Sequence, residues 1–351
     1  MRSRWFLLFF LLLCALFSAS RLVYLTAYGV AFFFLLFSWA TKRAFARLRV
    51  ERSLSARKAF PGQPVEITIV AENDSCLPLG WLRLAAARQP NLVILGPHVG
   101  AGLVFGRGRL RLVYRVTGMR RGHYPLGGIV IAGGDPIGWT GFERFVPDDG
   151  EGLTVYPRVW PLAGLPLPAA IPFGRRRHWL RAYEDPSWVG GIRDYTVGDS
   201  LRRVHWRATA HLGRLQVKEL TPTVAAEAWI FLNLAEEDYP GGTAATLGEV
   251  GIEAAASLLL YFHSRGTAVG FVSNGQASGM DGSVVFVPAE YGAEAAEAIL
   301  TILAGIQPAG GGNFISLPAE YGERASRGSV LFLLTPSWPE ELAVISLGLK
   351  R

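Results

Sequence analysis

Two uncharged apolar runs near the N-terminus constrain the fold of this chain more than any other feature of its sequence. The first covers residues 5–20 and the second covers residues 22–41, and only Arg21 separates them. A helix needs about 20 apolar residues to cross the hydrocarbon core of a bilayer, so the second run is long enough and the first is marginal. We therefore predict a transmembrane segment over residues 1–45.

Basic residues at both ends of this pair of runs predict its topology. Arg2 and Arg4 precede the pair, and seven basic residues follow it between Lys42 and Lys58. Because basic flanks stay on the cytoplasmic side, we predict a helical hairpin that crosses the plasma membrane twice and leaves the main domains in the cytoplasm. The alternative is a cleaved signal peptide that ends near residues 18–20.

Charge is divided unevenly along the chain. Residues 1–220 hold 30 basic and 14 acidic side chains, whereas residues 221–351 hold 5 basic and 14 acidic ones. A basic surface fits anionic lipid, an acidic partner or the chain's own acidic part, while a solvated face is the alternative for any single arginine. The basic half has few interleaved aromatic residues, so we expect no nucleic-acid partner. The two cysteines define neither a disulfide framework nor a metal site.

Residues 46–160 carry short runs in which apolar and polar side chains alternate. The clearest runs are residues 65–70 and residues 109–116, and turn residues rich in Gly, Pro, Asn and Asp separate such runs. Alternation of this kind is typical of half-buried strands, and several in series predict an antiparallel β-sandwich. We expect a spacer or interaction module without a catalytic constellation.

The pattern changes to apolar strands alternating with helices over residues 223–351. The predicted strands are residues 228–234, 268–272, 284–287 and 330–334. The predicted helices are residues 246–263, 293–306 and 340–347. Strands that alternate with helices predict an α/β domain of the doubly wound, Rossmann type. The chain is therefore predicted to be multidomain, with a linker and a distinctive segment over residues 161–222.

That distinctive segment contains a motif rich in Arg and Trp. It reads GGIRDYTVGDSLRRVHWRATA over residues 190–210 and GRLQVKE over residues 213–219. Its signature residues are Arg193, Tyr195, Gly198, Asp199, Arg202, Arg203, Trp206, Arg207 and Glu219. Gly198 and Asp199 predict a helix start, where Asp199 or Ser200 can cap the first turn. Gly213 suits the end of that helix, and Leu201, Val204, Ala208 and Leu212 are predicted to face the core.

Two interpretations of the motif are open. In the first, Trp206 packs and the arginines pair with carboxylates such as Asp185, Asp194 or Glu219. In the second, the arginines form a cationic docking surface for a partner or an anionic ligand. The four arginines concerned are Arg193, Arg202, Arg203 and Arg207.

The motif resembles the signature of a membrane-anchored bacterial family known as domain of unknown function fifty-eight. Upstream, RGHYPLG at residues 121–127, DPIG at residues 135–138 and VYPR at residues 155–158 are similar to its β-rich part. His211 stands where that family usually has Arg. The resemblance implies a von Willebrand factor A-like C-terminal domain. It also implies partners, namely a MoxR-type AAA ATPase and a transglutaminase-like membrane protein.

The residues offer no positive sign of catalysis, and we predict no cofactor and no metal site. His205 and His211 do not have metal-ligand spacing, and no glycine-rich phosphate loop precedes a helix. The metal-binding motif of A-type domains is Asp-x-Ser-x-Ser, and residues 233–237 read NLAEE in its place. The alternative is that the acidic loop formed by Glu236, Glu237 and Asp238 binds a cation. We predict a membrane-anchored scaffold or adaptor. The alternative is an enzyme or an anionic-ligand-binding protein with its site around Arg193, Asp199 and Arg203.

Overall fold

The chain forms two compact units, residues 1–156 and residues 157–351. The structure is a computed structural model that describes Leu13 and residues 21–148, 150, 152–165, 184–196, 199–201, 204–222, 227–277, 284–310, 312–326 and 328–348. The first predicted membrane run therefore lies outside the described residues except for Leu13. The division of the chain into four domains stays a prediction.

The first described element is the helix α1 (Arg21–Ala46), which contains the second apolar run. It is long and apolar enough to cross a membrane, and only 11% of its apolar window is buried. The helix Ala244–His263 also has sufficient length and apolarity, but 44% of its window is buried inside the protein. A signal sequence or a core helix shares these properties. The two-pass topology and the cytoplasmic placement thus stay predictions.

The rest of the first unit is built of mainly antiparallel sheets around one hydrophobic core. Its strands are β1 (Leu48–Leu54), β2 (Lys58–Ala59), β3 (Val65–Asn73), β4 (Leu79–Ala86), β5 (Leu92–Leu95), β6 (Val99–Val104), β7 (Arg109–Gly118), β8 (Gly122–Pro125), β9 (Ile129–Gly134), β10 (Gly141–Val146) and β11 (Gly152–Val155). Two four-stranded sheets have the orders β1-β3-β7-β5 and β10-β9-β4-β6, and a small third sheet has the order β2-β11-β8. Among the described strands of this unit, only β2 and β11 pair in parallel. Strand β3 buries every second residue, as its alternating sequence predicts.

Helix α1 packs on this β-rich unit through one side. The ring of Phe34 lies 5.9 Å from that of Trp139, and Phe45 lies 5.9 Å from Phe142. Arg144 donates a hydrogen bond of 2.8 Å to the carbonyl of Leu48, just after the helix. The end of α1 is therefore fixed to the sheets.

The second unit contains a two-stranded sheet and a four-stranded α/β region. Its elements are β12 (Glu184–Asp194), α2 (Trp206–Leu212), β13 (Gln216–Pro222), β14 (Glu227–Leu232), α3 (Ala244–His263), β15 (Ala268–Ser273), β16 (Val285–Glu290), α4 (Ala293–Gly305), α5 (Ser316–Gly322), β17 (Val330–Leu334) and α6 (Glu340–Gly348). The larger sheet has the order β16-β15-β14-β17, in which β14 is parallel to β15 and β17 while β16 is antiparallel. The predicted α/β pattern is confirmed. Phe231, Phe262 and Phe271 are fully buried in this region.

Candidate functional site

A short ion pair organises the loop that follows β12. Arg193 donates two hydrogen bonds to the carboxylate of Asp199, of 2.7 Å to Oδ2 and 2.6 Å to Oδ1. The backbone N–H and the hydroxyl of Thr196 also donate to Asp199 Oδ2, each at 2.9 Å. A bidentate Arg–carboxylate pair fixes the relative orientation of both groups. Arg193 and Asp199 therefore tie the strand end to the loop.

This geometry stabilises the charged form of Asp199. The hydrogen bond from Arg193, followed by those from Thr196, lowers the pKa of Asp199 well below its ordinary value. The side chain of Asp199 is 18% exposed and that of Arg193 is 43% exposed. The pair therefore lies at the surface, where solvent screens its charge.

A second cluster surrounds the neighbouring carboxylate. Arg214 lies 3.2 Å from Asp194 Oδ2, and the side-chain amide of Gln216 donates to Asp194 Oδ1. Residues Asp194 and Gln216 are opposite each other in the β12–β13 ladder, so the amide and the carboxylate share a face. Asp194 was one of three carboxylates predicted to pair with the motif arginines, and its partner is Arg214, while the side chains of Asp185 and Glu219 lie outside the described ones. No sequence pattern indicates the roles of Arg214 and Gln216.

The helix in the motif begins later than predicted. Asp199 does not cap it, because its carboxylate faces Arg193 and Thr196. Helix α2 begins at Trp206, and the Nδ1 of His205 accepts a hydrogen bond of 3.1 Å from the N–H of Ala208. The predicted helix start at Gly198 and Asp199 is therefore wrong, and His205 is the N-cap. The prediction for Gly213 is confirmed, because it ends α2 with φ 66°.

Several side chains of this segment that were predicted to pack are exposed. Trp206 is 67% exposed, and Leu201 and Leu212 are 65% and 57% exposed. Val204 is buried and forms a β-bridge to the buried Val217, at the edge of β13 that does not pair with β12. The interpretation in which Trp206 packs is therefore wrong, because α2 buries none of its side chains. Arg207, next to Trp206, is exposed as well.

Two further signature residues, Tyr195 and Glu219, lie in or next to the β12–β13 sheet. Tyr195 is half-buried, and its N–H donates to the carbonyl of Leu215 at 2.9 Å. Glu219 lies in β13 opposite Gly191. Three signature residues lie outside the described residues, namely Gly198, Arg202 and Arg203.

A polar network occupies the carboxyl end of the larger sheet. The side-chain amide of Asn233, which follows β14, donates to Asp238 at 2.7 Å and to the hydroxyl of Thr335, which follows β17, at 3.3 Å. Asn274, which follows β15, donates to Asn233 Oδ1 at 3.0 Å. Tyr239 donates to the carbonyl of Asn233, and burial together with Asp238 raises the pKa of Tyr239 to about 12. Asn233 thus links three neighbouring strand ends.

The side-chain oxygen of Asn233, which could otherwise bind a metal ion, accepts hydrogen bonds within this network. The Oδ1 of Asn233 accepts hydrogen bonds from the backbone of Ala235 and from Asn274. In the part of the chain that the structure describes, no three His, Cys, Asp or Glu side chains are grouped so that they could hold a metal ion. The network can brace the sheet edge, whereas Mg²⁺ needs free oxygen ligands. The sequence contains a signal for this network, since an Asn follows each of the strands β14 and β15.

The C-terminal part of the chain matches a known family. A family model described as "Protein of unknown function DUF58" matches residues 191–346. The match supports the DUF58 family. It begins in β12 and includes the whole Arg193–Asp199 cluster, α2 and the α/β region. Helix α1 and the β-rich unit lie outside the matched residues. No curated protein matches the chain.

Solved structures give only distant similarities. The Yersinia pseudotuberculosis adhesin InvE is 14% identical over 29% of this chain and 32% of its own length, with a TM-score of 0.16. The GH20 exo β-N-acetylglucosaminidase from Vibrio harveyi, in complex with N-acetylglucosamine, is 12% identical over 61% of this chain and 37% of its own length, with a TM-score of 0.22. The chain thus spans about a third of the length of each structure. With TM-scores this low, the similarity carries no conclusion about fold or function.

Proposed function

We propose that this protein is a membrane-anchored adaptor that docks a partner protein through the surface around Trp206 and Arg207. The observation that carries the proposal is the 67% exposure of the Trp206 side chain. Trp and Arg are the residues that most often dominate binding energy at protein interfaces, and here the two are adjacent and both exposed. The anchor is α1, whose length and apolarity suit a membrane span.

The loop before this docking surface is held in one conformation. The bidentate contact between Arg193 and Asp199 and the bonds from Thr196 fix the chain shortly before α2. A preorganised surface loses less conformational entropy on binding, which increases affinity. We therefore assign Arg193 and Asp199 a positioning role, and Trp206 and Arg207 the contact role.

The proposed partner is a MoxR-type AAA ATPase, with a transglutaminase-like membrane protein as a further member of the assembly. Support comes from the resemblance of the motif, which implies these partners, while the family match over residues 191–346 supports the family alone. The α/β region of the match is proposed to be a von Willebrand factor A-like domain that has lost its metal motif. Asn233 replaces the first carboxylate, and its oxygen is engaged by other groups of the protein.

Binding of the detergent-solubilised protein to a purified MoxR-type ATPase tests the docking surface. Trp206→Ala is expected to weaken binding by about 2 kcal/mol or more, which is roughly a 30-fold loss of affinity. Arg207→Glu is expected to weaken it further in low salt, because the reversed charge opposes an acidic partner. The melting temperature should change little, because both side chains are exposed.

Matched controls separate docking from general damage. Trp338→Ala removes a tryptophan that is 56% exposed outside the motif, and Arg111→Glu reverses an exposed charge in β7. Both controls should bind like the unchanged protein. If the two motif variants also bind like it, the docking surface lies elsewhere. If the unchanged protein does not bind the ATPase at all, the proposed partner is wrong.

The alternative, a site for an anionic ligand or for catalysis around Arg193, Asp199 and Arg203, stays a prediction. Arg193 directs its donors to Asp199, to the carbonyl of Asp194 and to Thr196, which favours a positioning role. Arg203 lies outside the described residues. No observation in the described part of the chain favours this alternative over docking.

A further inference from the structure

We infer that the β-rich unit itself enters the membrane surface through the turn between β9 and β10. This turn, residues 135–140, would be seated in the lipid bilayer beside helix α1. The inference rests on the membrane anchoring proposed above, and it adds a second, non-helical contact with lipid. It follows from the backbone of the turn, from its position along α1 and from the surface around it.

The backbone N–H groups of the turn are paired within it, and that of Asp135 donates to the carbonyl of Thr140 at 3.1 Å. The buried carboxylate of Asp135 accepts hydrogen bonds from the backbone N–H groups of Ile137, Trp139 and Thr140. The N–H of Gly138 donates to the carbonyl of Asp135 at 3.1 Å, and the remaining residue of the turn is a proline, which has no N–H. Unpaired N–H and C=O groups are what exclude loops from hydrocarbon, and the pairing of its N–H groups removes part of that cost for this turn.

The side chains of the turn are apolar at its tip. Ile137 is 56% exposed and Pro136 is exposed. Trp139 is half-buried and lies against Phe34 of α1. Gly138 has φ 76°, which allows the tight reversal that presents these side chains. In water these apolar groups are unfavourable, whereas at the interface of a bilayer they are stabilised.

The position of Trp139 along α1 sets the depth of the turn. Phe34 lies eight residues before Lys42, which is about 12 Å along a helix axis. The uncharged run, residues 22–41, is about 30 Å long as a helix, which equals the thickness of the hydrocarbon core. Because the run is no longer than the hydrocarbon core is thick, all of it, including Phe34, lies inside the bilayer if α1 crosses the membrane. Trp139, whose ring centroid lies 5.9 Å from that of Phe34, then lies within the membrane too.

The neighbouring turn at the same end of the sheets is apolar as well. Strand β6 ends beside the start of β4, and Gly80 in β4 packs so closely on the turn that a side chain there would overlap Pro136. At the end of β6, Leu103 is 68% exposed and Phe105 is 71% exposed. In the sheet order β10-β9-β4-β6, the two turns are about 10 Å apart. They form one apolar end beside α1.

Basic side chains lie near the end of α1, on the far side of Lys42 from Phe34 and the turn. Arg107, in the β6–β7 turn, is exposed and has the unusual φ of 58°, and Lys42, Arg43 and Arg47 are exposed at the end of α1. A cleft of about 450 Å³ is lined by Ala46, Arg47, Leu48, Arg49 and Asp74. Basic residues at the level of the lipid phosphates attract anionic headgroups. An apolar tip at one level of α1 and basic residues at the next level match the layered chemistry of a bilayer surface.

Site-specific fluorescence in vesicles tests this arrangement. In the full chain with Cys14→Ser and Cys76→Ser, single cysteines are introduced by Ile137→Cys, Phe33→Cys and Val93→Cys, and each is labelled with the dye NBD. The proteins are reconstituted in phosphatidylcholine vesicles that contain phosphatidylglycerol. Quenching is then measured with phosphatidylcholine that carries a spin label on its upper acyl chain. Phe33 reports the anchor, being 52% exposed on α1.

Val93 is the matched control. It is 48% exposed, and its partner Thr117 lies near the opposite end of β7 from the β6–β7 turn. We expect the dye at positions 137 and 33 to lose most of its fluorescence, and the dye at position 93 to keep it. Quenching at 33 without quenching at 137 overturns the inference and leaves the anchoring intact. Quenching at neither position overturns both, and equal quenching at 137 and 93 shows unspecific adsorption and also overturns the inference.

Discussion

Carboxylates determine the local structure of this protein at several turns and loops. Asp199 holds Arg193 and Thr196, Asp194 holds Arg214, and Asp135 binds the N–H groups of its own turn. The carboxylates of Asp135 and Asp199 replace backbone hydrogen bonds that regular secondary structure would supply, whereas Asp194, at the end of β12, pairs with the side chain of Arg214. Single residues of this kind therefore fix segments that have no helix or strand of their own.

The Arg193–Asp199 pair predicts a specific pH dependence. Because the pKa of Asp199 is lower in the folded state than its ordinary 3.8, the unfolded state binds the proton first as the pH falls. The contribution of the pair to stability is present above about pH 5 and is lost as the pH falls through the folded-state pKa. We expect Asp199→Asn to lower the melting temperature at neutral pH and to differ less from the unchanged protein in acid.

Thermal scans over a pH series measure this effect, and Arg193→Gln is the companion variant because it removes the other half of the pair. Both variants should show the same convergence in acid. A difference in melting temperature that does not depend on pH would mean that the contact is not electrostatic.

At the scale of elements, helix α2 depends on its two ends. His205 caps its start, Gly213 ends it, and the hydroxyl of Thr209 accepts from the N–H of Gln216 at 3.0 Å, which joins it to β13. A helix this short is not stable by itself and needs such contacts. Its position determines where Trp206 and Arg207 are presented.

The end of α2 gives the second prediction. A Cβ at Gly213 would meet no atom within 4 Å, so the effect of Gly213→Ala comes from the left-handed backbone alone. We expect that substitution to cost about 1–2 kcal/mol, and Gly213→Asn to cost less because Asn tolerates this conformation. Urea unfolding followed by tryptophan fluorescence measures both. Equal effects of Ala and Asn would contradict the backbone explanation.

Helix α3 gives the third prediction, which separates a core helix from a membrane span. Leu259 is fully buried and Val250 is 59% exposed on the same helix. If α3 is a core helix, Leu259→Ala should cost about 2–5 kcal/mol and Val250→Ala less than about 0.5 kcal/mol. Denaturant unfolding measures both variants. Similar small effects at the two positions would argue that α3 does not pack in the core.

At the scale of the whole molecule, the chain joins an apolar helix, a β-rich unit and an α/β region. Along the chain, the first compact unit ends at residue 156 and the second begins at residue 157. In the second unit, Trp160 donates to Ser257 and to Glu253, so the chain is fixed to α3 soon after it leaves the β-rich unit. Each unit therefore has its own core and can be tested separately.

The topology gives the fourth prediction. Because basic residues flank both ends of the apolar runs, both termini are expected in the cytoplasm. A reporter that is active only in the periplasm, fused after Arg351, should be silent, and a cytoplasmic reporter at the same site should be active. Activity of the periplasmic reporter would indicate a single-pass anchor in place of the hairpin.

The sequence alone determined several strands and helices of both units. Alternation in residues 65–70 predicted β3, and apolar runs near Trp229, Ala268 and Val330 predicted β14, β15 and β17. These predictions succeeded because the side chains that a strand buries are fixed by its period and by hydrophobicity, which are local properties. Gly213 was predictable for the same reason, since a left-handed helix end favours glycine.

Only the tertiary structure decided the arrangement of the site. Asp199 has the residue type of an N-cap, but Arg193 from the neighbouring strand competes for its carboxylate, and that contact depends on how the loop folds back. Trp206 has the residue type of a core side chain, but the partner surface of α2 is taken by β13, so its indole faces solvent. Such choices depend on groups that are distant in the chain or on which face of an element is covered, and no local pattern encodes them.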